Sequence, residues 1–183
     1  AGPIPRRVPE RRFRLAEEAA IRAFPPQAYG PVLEAGQALA MTGVSRREAM
    51  RRVETFMRHA QSKALHAYWQ TRRQGGAAPH RADIEPQDIA GLLGYVFSRW
   101  QAGPQHHSFR LAGTHWCDLY QREFREQNFL SLWRGHDRTH VQAVLEASIT
   151  GCAPASVIAR ANSLDMHQLP VEISFLPLRG PSC

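Results

Sequence analysis

Lysine is almost missing from this chain: of its 23 basic residues only Lys63 is not arginine. The net charge of +7 and pI near 10.1 therefore look like the coding bias of a GC-rich genome as much as an anionic partner. The excess is spread, +4 over residues 1–56 (ten arginines, six acids) and +3 over the remainder, and is densest in the arm holding Arg6, Arg7, Arg11, Arg12 and Arg14. Cysteine is scarce, and Cys117, Cys152 and Cys183 are odd in number and widely spaced. That pattern argues against a disulfide framework and a zinc module and fits a reducing, cytoplasmic setting. Apolar runs approaching the roughly 20 residues of a membrane span are lacking. No secretory apolar core precedes the first expected helix, and a start at Ala1 rather than Met implies processing or trimming. Phosphate loops, dinucleotide fingerprints and serine elbows are missing too, which leaves transferases and hydrolases of those mechanisms without support.

What is present suits one domain of ordinary size plus an appendage. The 183 residues are 43% apolar and 21% charged, enough to bury a core without staples. Prolines at 3, 5 and 9 open an extended arm, and a short helix over 11–24 ends at Pro25-Pro26. A second short helix is expected over 31–41, closed by Gly43. Ser45-Arg46-Arg47-Glu48 is a capping box, and the stripe Met50, Val53, Met57, Ala60, Ala64, Ala67 carries one long helix over 45–73, to Gly75-Gly76. The expected divisions are an N-terminal arm over 1–44, that long helix, and a core over 74–183. In the core, strands are expected over 93–101 and 106–112, short helical turns over 115–121 and 124–133, a better helix over 138–150, and a second hairpin from 155–161 and 169–178 around Ser163-Leu164-Asp165.

That order, with Ala64-Leu65-His66-Ala67-Tyr68-Trp69, Ala82-Asp83-Ile84-Glu85-Pro86, Phe109-Arg110-Leu111-Ala112-Gly113-Thr114 and the run Leu169-Pro170-Val171-Glu172-Ile173-Ser174-Phe175-Leu176-Pro177-Leu178, resembles a small bacterial PAS-like family over about 62–178. The resemblance implies an α+β fold: an antiparallel sheet whose helical side encloses a small-molecule pocket, preceded by a helix that commonly mediates dimerisation. Tyr120-Gln121-Arg122-Glu123-Phe124-Arg125-Glu126 departs from the family's glycines around an arginine-acid pair. A PAS sheet also has a fifth strand centrally between its hairpins, whereas this sequence stops five residues after Leu178. Three explanations follow: truncation, filling of the gap by part of 1–44 or by a second copy, or direct pairing of the two hairpins.

The function this implies is a non-enzymatic sensory or regulatory module, with a small-molecule ligand or a signalling protein as partner. Residues expected around a pocket are Phe109, Trp116, Tyr120, Phe129 and Trp133, with Arg110 or His115 for polar recognition. Met50, Val53 and Met57 are the candidate seam of a homodimer. His140 falls in the region where some PAS proteins hold haem, the one cofactor the resemblance offers. His136 and His140 lie four apart without the glutamate of a zinc protease helix, and no metal site is assigned. The rival reading is DNA binding through a helix-turn-helix-like segment at 37–53, with Arg46, Arg47 and Arg51 as contacts, although Leu39, Thr42 and Arg52 fit its pattern poorly.

Overall fold

Ser45 caps helix α1, which runs over Arg46–Phe56: its hydroxyl accepts from the Glu48 N–H at 3.3 Å, the serine half of the expected capping box, while the Glu48 carboxylate pairs with Arg51 and Arg52. This computed structural model describes residues 45–103, 105–162 and 168–179, together with the backbone of 33–39. The expected helix at 11–24, the Gly43 stop and the turn at 163–165 lie outside the described residues.

The single long helix over 45–73 is not formed. Met57 and His59 are both extended, and the chain restarts as helix α2 over Ala60–Arg72. Nothing local breaks the helix, since neither glycine nor proline is present. The cause is tertiary: the Glu172 carboxylate accepts from the Arg58 N–H at 2.7 Å and the His59 N–H at 3.4 Å, satisfying amides that open a new helix. Val53 and Met57 are 0% and 1% exposed and interior to the chain, whereas Ala60, Ala64 and Ala67 of the same stripe are exposed on α2.

After 3-10 turns over Arg81–Asp83 and Pro86–Tyr95 comes the hairpin of β2 (Phe97–Gly103) and β3 (His106–Ala112). Helix α3 spans Thr114–Tyr120, a 3-10 turn Phe129–Leu132, and helix α4 Gly135–Gly151. The second hairpin joins β4 (Ala155–Asn162) to β5 (Gln168–Phe175), in register from Ala155↔Phe175 to Asn162↔Gln168. The motif Leu111-Ala112-Gly113-Thr114 has a steric reason. A Cβ at Gly113 would lie 2.3 Å from the Gly94 carbonyl oxygen and 2.4 Å from that of Leu93, so only glycine lets β3 turn into α3 beside the start of β2.

The expected helix at 31–41 is instead a strand, β1 (Leu33–Leu39), antiparallel to β4. Its composition favours helix, but β4 is buried along most of its length and has an edge to fill. Hydrogen bonding to that edge overrides local propensity. Residues 33–39 thus belong to the core sheet, and the expected arm over 1–44 does not end where the core begins. The helix-turn-helix at 37–53 loses its first helix for the same reason.

Two antiparallel sheets result, with orders β1-β4-β5 and β2-β3. The hairpins do not pair with each other, and β1 adds outside β4 rather than between them. Between the sheets and helices lies an aromatic and aliphatic core of Phe109, Tyr120, Phe124, Phe129, Trp133, Val141, Leu145, Val157 and Ile173. Beyond β5 the chain is tied to α2 and its following turn. The Trp69 indole donates to the Pro177 carbonyl at 2.7 Å, and the Arg179 N–H donates to that of Pro79 at 2.7 Å. Among the described residues no helix is long and apolar enough to cross a membrane.

Candidate functional site

Alternation along β5 decides what it offers to each side. Val171, Ile173 and Phe175 face the core, so Pro170, Glu172 and Ser174 point the other way. The edge of β5 opposite β4, like the edge of β2 opposite β3, has no partner strand among the described residues. A mainly apolar slot of about 270 Å³ opens between them. One wall is Leu92, Tyr95, Val96 and Phe97, leading into β2; the other is Pro170 to Ser174 of β5. Trp116 and Leu119 of α3 line its inner side together with His115, and His59, Gln61, Ser62 and Leu65, at the start of α2, line the outer side.

Glu172 is the lining residue with a formal charge. Its Oε2 holds the Arg58 and His59 amides, whereas its Oε1 is buried without a hydrogen-bond partner. A carboxylate oxygen in that condition calls for a donor.

Of the residues expected around a pocket, the slot brings together His115 and Trp116. His115 packs on Tyr95 with ring centroids 4.1 Å apart, and Trp116 meets Phe97 edge-on at 5.5 Å. Phe109, Phe129, Trp133 and Tyr120 are core instead, at 0%, 0%, 1% and 6% exposure. They fill the space a ligand would need on the helical side of the sheet, because each large ring finds aromatic neighbours there. Arg110 is exposed on β3. His140 is exposed on α4, stacked at 6.4 Å on His136, and does not line the slot, so the haem expectation gains no enclosing pocket. No group of three or more His, Cys, Asp or Glu side chains among the described residues is arranged to hold a metal ion. Met50 is half-buried, with Sδ 2.6 Å from the Arg73 guanidinium, while Val53 and Met57 are closed to a second copy in this arrangement.

On α1, Arg51 and Arg52 both pair with Glu48, at 3.4 and 2.8 Å, and Arg47 is exposed. Cys117 is a free thiol whose pKa is raised by burial and then by Glu123, the opposite of an activated nucleophile. Cys152 is disulfide-bonded, so the cysteine pattern does not carry the argument for a reducing compartment.

Sequence reasoning missed Glu172, Val171 and Ile173 on β5 and Leu65, Leu92, Val96 and Leu119 opposite. The available signal was Glu172 as the one charged residue of β5, since a charge beside Val171 and Ile173 needs a reason to be retained.

A polar pair sits at the far end of the first hairpin. Arg99 donates to His107 Nδ1 at 2.9 Å, which leaves the buried Nε2 to carry the proton with no partner. Burial, and then the Arg99 charge, hold the His107 pKa down at about 4, against 6.5 unperturbed. Since the folded value is depressed, the unfolded chain takes up the proton first on acidification. The contribution is complete above about pH 6.5 and is lost as pH falls toward 4, by about 2–3 kcal/mol. Urea unfolding at a series of pH values checks this: His107→Gln is expected to flatten the wild-type slope between those limits, and an unchanged slope would refute the assignment.

Two antiparallel sheets packed with helices around an aromatic core, with an apolar slot lined by β5 and the start of β2, make an α+β fold of the PAS-like kind. A family model described as PAS domain matches residues 57–182, more than half of the chain, and the chain belongs to that family. Comparison with curated proteins and with solved structures finds no match.

Proposed function

We propose that the chain is a non-enzymatic sensory and regulatory module in which occupancy of the slot between β2 and β5, by a small apolar or amphipathic ligand or by a signalling protein, is passed to helix α2. The observation that carries this reading is a shared wall. His59, Gln61, Ser62 and Leu65 in the first turns of α2 line the same slot as β5, and Glu172 of β5 holds the amides at the start of that helix. An occupant touching Glu172 acts directly on the helix end, because the cap and the slot use one carboxylate.

Native mass spectrometry of gently extracted protein, followed by thermal shift with apolar compounds, tests this. The expected result is a bound species that raises the melting temperature and slows amide exchange in the first turn of α2. Leu119→Asp is expected to abolish the shift while circular dichroism stays native. A shift unchanged by Leu119→Asp, or one without slower exchange at α2, would defeat the reading.

A further inference from the structure

We propose that Arg99 anchors a small free carboxylic acid, bound as its carboxylate on the core side of the β2–β3 hairpin. Neither Arg99 nor its partner His107 lines the slot, so this site stands apart from the regulatory reading above. Arg99 lies opposite Phe109 in the hairpin register and its guanidinium reaches His107; Phe109 and His107 are both fully buried, on one face of β3. The cation is thus turned inward, and burial pulls its pKa down to about 10.

What Arg99 lacks is a counter-charge. The other half-buried arginines among the described residues each have compensation: Arg72 pairs with Asp88, Arg73 lies 5.6 Å from the centre of the Trp69 ring, and Arg122 lies 4.7 Å from that of Phe124. Arg99 meets neither a carboxylate nor an aromatic face among the described residues. Its one hydrogen bond there goes to His107 Nδ1 at 2.9 Å, and a neutral imidazole offsets no charge. A desolvated cation in that state costs stability until an anion answers it. The imidazole nevertheless holds the guanidinium in place. Asn128 Oδ1 accepts from the His107 N–H and the Leu130 N–H, each at 3.1 Å, and Asn128 Nδ2 donates to the Gln105 carbonyl at 3.2 Å, so the histidine is fixed by its backbone. The remaining guanidinium N–H groups form the planar fork that matches the two oxygens of a carboxylate. Arg99 is half-buried and none of its nitrogens is a sealed, unpartnered atom, so the fork opens to solvent. A small acid can follow a cation that is turned inward; the surface of a folded partner cannot.

The test titrates the full isotope-labelled chain with acetate, benzoate and succinate, and separately with inorganic phosphate, and follows the nuclear magnetic resonances of the Arg99 Nε–H and the His107 amide. At least one of the three acids is expected to shift both signals saturably. Arg99→Lys keeps the charge but not the fork and is expected to weaken that acid about fivefold or more at the His107 amide. Arg99→Met is expected to abolish the response while the urea midpoint of the ligand-free chain stays no lower than that of the wild type, since a desolvated charge has gone. Failure of all three acids to saturate overturns the proposal, and a lower midpoint in Arg99→Met then shows Arg99 to be a structural group. A response that survives in Arg99→Met, or one given by phosphate and by none of the acids, overturns it as well. So does a response to an amidated peptide carrying one glutamate but to no free acid, which assigns Arg99 to a partner's side chain.

Discussion

Met57→Asp is expected to lower the free energy of unfolding by about 3–5 kcal/mol, without changing the association state of the protein that remains folded. Met57 is 1% exposed at the point where α1 ends, and its N–H bonds to the Val53 carbonyl at 2.9 Å beside a side chain that is itself fully buried. A carboxylate placed there loses its hydration, so unfolding is the cheaper outcome. Were this stripe the seam of a homodimer, the same change would abolish association and leave the stability of the monomer nearly untouched. Denaturant unfolding and sedimentation on one sample separate the two. A stable monomer derived from a wild-type dimer would show that α1 is repositioned in the assembled protein.

The difference between a stripe that binds a second copy and one that packs inside was invisible in the sequence, because both need the same three- and four-residue spacing. Elements whose cause is local were legible. The N-cap at Ser45, the hairpins around 97–112 and 155–175 and the helix now spanning Gly135–Gly151 follow from side-chain periodicity and turn residues. Elements whose cause is distant were not. The break at Met57–His59 is made by a carboxylate more than a hundred positions away, and β1 is a strand because β4 has an edge to fill. The site shows the same division. Trp116 and His115 were among the aromatic and polar residues expected around a pocket, while the β5 wall was read only as a strand. Which strand edges lack a partner is a property of the assembled sheet, and periodicity carries no record of it.

Whether the large aromatics are walls or filling has a direct energetic signature at Phe129. Its ring is fully buried and lies 5.6 Å from Phe97, 5.7 Å from Phe109, 6.0 Å from Trp133 and 5.7 Å from Phe175, centroid to centroid. These neighbours come from both hairpins and from the 3-10 turn that carries Phe129, so the side chain bridges the two sheets in place of any hydrogen bond between them. Removing it opens a cavity that none of four rigid rings can close without moving a strand. Phe129→Ala is expected to cost about 3–5 kcal/mol, at the high end of core truncations, and a small aromatic solute such as benzene is expected to recover part of the loss by filling the space. A pocket wall behaves differently: its ring already faces solvent or ligand on one side, and its truncation enlarges an existing opening at about half that cost or less. Urea unfolding of Phe129→Ala with and without benzene makes the distinction. A loss below about 1.5 kcal/mol, with no recovery by benzene, would return Phe129 to the lining of a ligand cavity and contradict the core described above.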